Sequence, residues 1–381
     1  MASASRALST EELRSRVAKL PRVDLAHLPT PLEEVPRFAE RLGGVRIFLK
    51  RDDCTGLLFG GNKTRHNEFL LADALQEGAD LVVWGAGVQS NNCRQTAAAC
   101  AKLGLECRLY LSRASHNDDI QGNLLLDHLM GAKIEVVDAR IGPELEELMR
   151  TRAAELRADG RRPYLWERER VLPLAAVSYA LCLAEIIDEM KTLDLEPAAV
   201  YACSAGSTGA GLALGRMILG MSGSVRSLAP IRWPWDTRDA MTEITNQAAA
   251  LLDLPQRLHA KDMEVSNDFI GPGYGVPTQE GWEAADLLAR SEGILLDPVY
   301  TAKAMAGLIH DIRQRRPLPG EAVVFVHTGG TPAVFAYRDE LLALHRGKGV
   351  GQVGHGSNEG NTGAAEPSAT NPERKSHWAS G

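Results

Sequence analysis

Phe59-Gly60-Gly61-Asn62-Lys63-Thr64-Arg65 sets a lysine directly behind two glycines and an asparagine, ahead of the helix-prone run 68–75. Glycines adopt backbone angles closed to other residues and let a ligand approach the main chain closely. A lysine held at such a point, partly stripped of water, has a lowered pKa and can attack a carbonyl to form a Schiff base. A surface lysine after a turn would explain the same residues, so the reading depends on what else the chain carries.

Ser204-Ala205-Gly206-Ser207-Thr208-Gly209-Ala210-Gly211 lies between a predicted strand and a predicted helix. Small residues there expose consecutive backbone N–H groups, and a helix N-terminus adds partial positive charge. Ser207 and Thr208 add hydroxyl donors, which makes the stretch a candidate phosphate cradle. It fits neither GxGxxG nor GxxxxGKS/T, which argues against a dinucleotide or a nucleoside triphosphate. A glycine-rich turn of purely structural purpose stays open. Gly87-Val88-Gln89-Ser90-Asn91-Asn92 occupies a strand-to-helix turn. Ser90 or Asn91 either caps the following helix or faces a cleft, to bind a substrate carboxylate and a cofactor oxygen. A reactive lysine, a phosphate cradle and a polar helix start together imply pyridoxal 5′-phosphate, which needs a Schiff-base lysine and a phosphate anchor.

These stretches need a scaffold, and the pattern supplies one. Strands are predicted at 45–49, 81–84, 107–111, 134–137, 199–202, 225–231 and 322–326. Helices alternate with them, at 92–103, 121–130, 143–159, 175–191, 210–220, 237–252, 279–291, 301–315 and 332–345. Alternation with short connections indicates α/β architecture, with parallel sheets covered by helices on both faces. We expect two lobes with the ligand between them, at the carboxyl ends of the strands. The expected division is a large cofactor-binding domain of residues 1–55 and 166–345 and a small domain of 56–165. Residues 1–44 read as an amphipathic lead-in. From 346 to 381 the chain is Gly-, Ser- and Asn-rich with little that is apolar, and a disordered tail is expected.

Composition narrows the function classes. The 381 residues are 44% hydrophobic and 24% charged, with a net charge of −7, so no basic footprint for nucleic acid or anionic membranes is present. No apolar run approaches the roughly 20 residues of a membrane span. The start Met1-Ala2-Ser3-Ala4-Ser5-Arg6 lacks the apolar core of an export signal. Six cysteines without a CxxC pair read as reduced thiols, with no metal site, in a cytoplasmic protein. The expected partner is a small amino-acid substrate, and a homodimer is the expected assembly.

Taken together, the chain resembles the fold-type-II pyridoxal-phosphate enzymes that include D-cysteine desulfhydrase and 1-aminocyclopropane-1-carboxylate deaminase. These are relatives of the tryptophan synthase β-like fold. The matching residues are Lys50-Arg51-Asp52-Asp53, Gly60-Gly61-Asn62-Lys63, Gln89-Ser90-Asn91, Arg94-Gln95, Gly271-Pro272-Gly273-Tyr274-Gly275, Asp297-Pro298-Val299-Tyr300 and His327-Thr328-Gly329-Gly330. They span most of residues 30–340 in order. The resemblance implies that Lys63 is the Schiff-base lysine and proton shuttle. It places Ser90 near the substrate carboxylate, Asn91 beside the cofactor's 3′ oxygen, and Asn62 and Thr328 among the cofactor-binding residues. Gly206, Ser207, Thr208 and Gly209 correspond to the phosphate loop, and Tyr274 and Tyr300 to two active-site tyrosines.

Two further positions bear on the reaction. The deaminases carry a glutamate after the second tyrosine, against the pyridine nitrogen; this chain has Thr301, and Thr328 is likewise the desulfhydrase-like residue. A hydroxyl cannot hold a full charge on the ring, which suits loss of a good β leaving group. The resemblance therefore implies an α,β-eliminating lyase, with D-cysteine first, and cysteate or the cyclopropane substrate behind it. A catalytically silent cofactor-binding protein is the rival of another class. Trp166-Glu167-Arg168-Glu169-Arg170 and Ile231-Arg232-Trp233-Pro234-Trp235 depart from the family pattern, as does Asn92 for a common histidine. The 166–170 charges read either as a solvated loop or as a site for an acidic substrate group.

Overall fold

The computed structural model describes residues 6–113, 119–318 and 320–345. The expected tail, 346–381, lies outside them. In chain order the strands are β1 (Leu32–Glu34), β2 (Arg46–Lys50), β3 (Leu81–Gly87), β4 (Glu106–Ser112), β5 (Lys133–Val137), β6 (Pro163–Leu165), β7 (Pro197–Cys203), β8 (Ser224–Leu228), β9 (Glu264–Ser266) and β10 (Ala322–Val326). Two sheets result, in the orders β1-β2-β10-β7-β8-β9 and β5-β4-β3-β6. Every pairing is parallel except β1 with β2. The central strand β10 is Ala-Val-Val-Phe-Val, buried along its whole length, as a strand with helices on both faces must be.

Several details differ from the sequence pattern. Strands β1, β6 and β9 have three residues each, too few to register a period of two, and β1 gives the large sheet an antiparallel edge. The expected strand 225–231 stops at Leu228, before Pro230, which has no N–H to continue a ladder. The lead-in contains a capped helix, Thr10–Val17. The helix expected at 332–345 is broken into Ala333–Ala336 and Arg338–His345. The helix expected at 175–191 begins seven residues earlier and runs Arg168–Thr192. By length and composition that helix is apolar enough to cross a membrane, contrary to the expectation that no such run exists, yet 72% of its apolar window is buried inside the protein. It is the core helix, packed against Asn62–Gln76, Ser207–Leu219 and Thr237–Leu251.

A buried ion-pair network pins the large sheet to this helix layer. Asp52, just past the end of β2, has its side chain fully buried. Its carboxylate accepts from Arg65 Nε and Nη2 at 2.9 Å each, from Thr30 Oγ1 at 2.7 Å, and from the Tyr179 hydroxyl. Arg65 also pairs with Glu185 at 2.7 and 2.8 Å. Burial pushes the Asp52 carboxyl up, but the Arg65 charge and the donated hydrogen bonds outweigh it and hold the pKa below the usual value. Removing one member of such a network strands the others. Asp52→Ala should therefore lower the stability of the cofactor-free protein by about 3–5 kcal/mol, measured by urea unfolding. A loss under about 1 kcal/mol would show that the network is dispensable.

Candidate active site

The turn ahead of Lys63 is fixed by backbone geometry. Gly60 and Gly61 have φ of 62° and 127°, in the region that favours glycine. A Cβ on Gly60 would lie 2.1 Å from the Asp53 carbonyl, and one on Gly61 2.6 Å from Gln95 Nε2. Gly61 N donates to Asp52 O at 2.9 Å and Asn62 N to Thr328 O at 3.1 Å. The turn is thus stitched to the segments that follow β2 and β10. The helix Asn62–Gln76 begins there, with Lys63 in its first turn. Burial strips the amine of water and lowers its pKa from 10.5 to about 8, with Cys203 acting weakly the other way.

His66 joins the lysine to the phosphate loop. Its Nδ1 is 3.5 Å from Lys63 Nζ and its Nε2 is 3.3 Å from Thr208 Oγ1. Burial first, then the Lys63 and Arg65 charges, hold the ring far below its usual pKa, so it is neutral. The sequence reading missed His66, although its spacing of three from Lys63 puts both on one helix face. Asn62 Nδ2 donates to the same Thr208 hydroxyl at 3.0 Å.

The loop itself is shorter than expected, because the helix Ser207–Leu219 already includes Ser207, Thr208 and Gly209. Gly206 is the N-cap and has no side chain of its own to cap this helix start. A Cβ added at Gly206 would meet nothing within 4 Å, whereas one at Gly209 would lie 2.2 Å from Ser227 Oγ. Gly206 therefore borders open space and Gly209 serves packing, away from the cavity. Ser204 Oγ accepts from Gly206 N at 3.2 Å and Gly209 N at 2.8 Å, which fixes the loop's shape.

Across the cleft, Ser90 caps the helix Asn91–Leu103, its Oγ accepting from Asn92 N at 3.1 Å and Cys93 N at 3.3 Å. Asn91 Oδ1 accepts from Asn123 Nδ2 at 2.9 Å. The Tyr274 and Tyr300 hydroxyls are hydrogen-bonded to each other, with ring centroids 5.9 Å apart. Burial raises Tyr274 to about 12 and Tyr300 well above its usual value, so both stay protonated at neutral pH. Lys303 Nζ fixes the Tyr274 loop by donating to Ile270 O at 2.6 Å and Gly273 O at 3.0 Å.

One cavity of about 230 Å³ brings these groups together. Asn62, Lys63, Ser90, Asn91, Tyr274, Tyr300 and Thr328 line it, and so do Gly206, Ser207 and Thr208. Thr301 does not. Its hydroxyl is fully buried and accepts from Asp297 N at 2.8 Å while donating to Asp297 Oδ1 at 2.7 Å. The placement of Thr301 against a pyridine ring is therefore corrected: its side chain closes the Asp297–Tyr300 turn. Nor does it cap its helix, since Tyr300 holds that position. The wall also contains Trp84, Trp166 and Trp233, which the sequence reading had not placed in the site, and Arg168, one of the 166–170 charges it had left open. Trp166 and Arg168 are half-buried rather than part of a solvated loop, while Glu167 and Glu169 are exposed.

The sequence profile of pyridoxal-phosphate-dependent enzymes matches residues 23–329. The chain belongs to that family. A solved structure described as that of an ACC deaminase homologue is 34% identical and superposes with a TM-score of 0.80, over 87% of this chain and 99% of the other. The enzyme has the fold-type-II architecture of the desulfhydrase and deaminase group, and its cofactor is pyridoxal 5′-phosphate. The residues present fit that group: a buried amine of lowered pKa faces the same cavity as a helix start beside an open Gly206.

Two outcomes follow from this geometry. In the cofactor-free enzyme, attachment of pyridoxal phosphate to Lys63 needs the neutral amine. The rate of borohydride-trapped labelling should rise from pH 6 and level off above about 8. A rate still climbing tenfold per unit at pH 9.5 would mean an unperturbed lysine, and a label mapping to another lysine would displace Lys63. Gly206→Val should weaken cofactor affinity tenfold or more with little change in unfolding midpoint, since its side chain enters open space. Gly209→Val should instead destabilise the apoprotein by about 1–3 kcal/mol through overpacking.

Proposed function

We propose that this enzyme is a carbon–sulfur lyase that eliminates the thiol of a small β-substituted amino acid, with D-cysteine as the first substrate. Cysteine and water would give pyruvate, ammonia and hydrogen sulfide. The observation that carries this reading is the chemistry of the lining. A lysine of lowered pKa and two protonated tyrosines share the cavity with Thr328, and the sole lining carboxylate among the described residues is Glu146. Glu146 is engaged with Arg168. A ring nitrogen without a carboxylate partner makes a weaker electron sink, which suits expulsion of a good leaving group better than opening a cyclopropane. Descent from a fold shared with an ACC deaminase homologue does not by itself select the substrate.

Pyridoxal 5′-phosphate supplies an aldehyde for the substrate amine and a conjugated ring that draws electrons from Cα. The chain does the rest. The N–H groups and hydroxyls of Ser207 and Thr208 would hold the phosphate, and Asn91 would lie beside the ring oxygen. Lys63 Nζ, mostly neutral above pH 8, takes the α proton. The Cβ–S bond then breaks with its electron pair on sulfur, and one of the Tyr274–Tyr300 hydroxyls delivers the proton that makes the thiol. Ser90 Oγ orients the substrate carboxylate. Apolar walls from Leu145, Met149 and Val171 exclude bulk water from the cleft.

Assembly and compartment are proposals on the same footing. Six unpaired cysteines fit a reducing, cytoplasmic compartment. Exposed Leu125 and Leu129 lie on the helix Gly122–Leu129, which packs against the short helix bearing exposed Phe335, and this fits burial against a second copy.

Assaying 2-oxo acid release from a panel of D- and L-amino acids tests the reading. We expect pyruvate and sulfide from D-cysteine, with kcat down at least about 10³-fold in Lys63→Ala. Ammonia release from the cyclopropane substrate with none from cysteine would overturn it.

A further inference from the structure

The cavity that Lys63 lines also has a wall that this reaction leaves unused. Two segments distant in sequence build it. Arg168 opens the core helix and Trp166 lies just ahead of it, while Trp233 and Trp235 come from the segment after β8. The Arg168 guanidinium carbon lies 4.3 Å from the Trp235 ring centroid, 5.5 Å from that of Trp233 and 5.8 Å from that of Trp166. Trp233 and Trp235 are stacked, their centroids 5.1 Å apart and their planes 11° from parallel. Trp233 Nε1 donates to Ala205 O at 3.3 Å, which ties this box to the phosphate loop.

Arg168 is held in place but not saturated. Its side chain is 20% exposed and lines the same cavity as Lys63. Its one hydrogen bond among the described residues runs from Nη1 to Glu146 Oε1 at 3.5 Å, long for an N⁺–H···O⁻ contact. A guanidinium has five N–H donors in a planar fork that matches an oxyanion in two-point fashion. Indole faces fix the plane of the fork and leave its edge free. An amino acid's own carboxylate is accounted for at Ser90, so a guanidinium on the wall of the same cavity calls for a second anionic group.

We propose that Arg168, framed by Trp166 and Trp233, is a specificity subsite for an oxyanion at the far end of the substrate's β-substituent, carried on a short apolar spacer that lies against the indoles. This rests on the reading of the cavity as an amino-acid site and names the class of amino acid it prefers. Glu146 balances the guanidinium when the subsite is empty.

The probes are S-(2-carboxyethyl)cysteine and its uncharged isostere S-(2-carbamoylethyl)cysteine, each as both enantiomers. Affinity is read from the shift in cofactor absorbance of the holoenzyme, which needs no turnover. One enantiomer of the carboxylate should bind at least about tenfold more tightly than its amide, about 1.4 kcal/mol. That preference should fade as salt is raised. Arg168→Gln should erase it, and Arg168→Lys should keep only part, since an ammonium lacks the planar fork. Equal affinities in the unmodified enzyme, or a preference surviving in Arg168→Gln, would overturn the subsite. The unmodified pair decides the matter even where a variant fails to retain cofactor. Assaying 2-oxo acid in the same samples separates the two readings. Pyruvate from D-cysteine without discrimination sinks the subsite alone; discrimination without 2-oxo acid from any substrate supports the subsite and sinks the lyase.

Discussion

Asp52 and Arg65 form a buried ion pair, with Arg65 two residues from Lys63, and the candidate active site hangs from it. An unpaired charge at that depth would be costly, so each partner has a single arrangement in which both are satisfied. That arrangement places Arg65 on the Lys63 helix and Asp52 at the end of β2. The same Asp52 supplies its carbonyl to Gly61 N, so one residue holds both the turn before Lys63 and the helix after it. Lys50 Nζ, also fully buried, adds bonds to Thr30 O and Glu189 at 2.6 Å each. The position of the lysine is therefore set by electrostatics in the core rather than by the loop that carries it.

A stiff mount matters because burial is what lowers the Lys63 pKa to about 8, and a lysine free to swing into water would lose that shift. No carboxylate lies close enough to Lys63 to restore its pKa, and the neighbouring imidazole of His66 is neutral. Burial alone lowers the Lys63 pKa, against a weak opposing effect of Cys203. The tyrosine pair shows the complementary logic: burial favours the neutral phenol just as it favours the neutral amine, so acid and base sit in one cavity without exchanging charge. Tyr274 reaches the β3 side of the cleft, where a Cβ added at Gly87 would lie 3.4 Å from its Cε1.

Much of this was legible in the chain. Gly60-Gly61 before Lys63 announced a strained turn, and small residues at 204–211 announced a helix start that could hold an anion. The long parallel strands follow from their apolar runs. Other features have no local signature. Three-residue strands exist because a neighbour offers them an edge, and their own residues carry no period. Thr301 read as a cofactor contact from its place after Tyr300, but a helical first turn points successive side chains some 100° apart. Tyr300 takes the direction into the cavity and Thr301 takes the one into Asp297. His66 was visible only by counting three along a helix from a lysine already singled out.

The tryptophan–arginine wall was the least legible, and the reason is physical. Residues 166–168 and 233–235 are separated by two helices and two strands, and nothing in either segment refers to the other. Each departs from the family pattern on its own terms, one as a charge run and the other as a proline-interrupted aromatic pair. In the fold they meet, and the meeting explains both: indole rings are the surface on which an arginine can stand half-buried without a full salt bridge. The cofactor side of the cleft is bound into the Asp52 network and the phosphate helix, where substitution would disturb the fold. The far wall carries no such duty. Change there alters what the cavity admits while leaving the lysine and its turn untouched, which is how one scaffold can retain its chemistry and exchange its substrates.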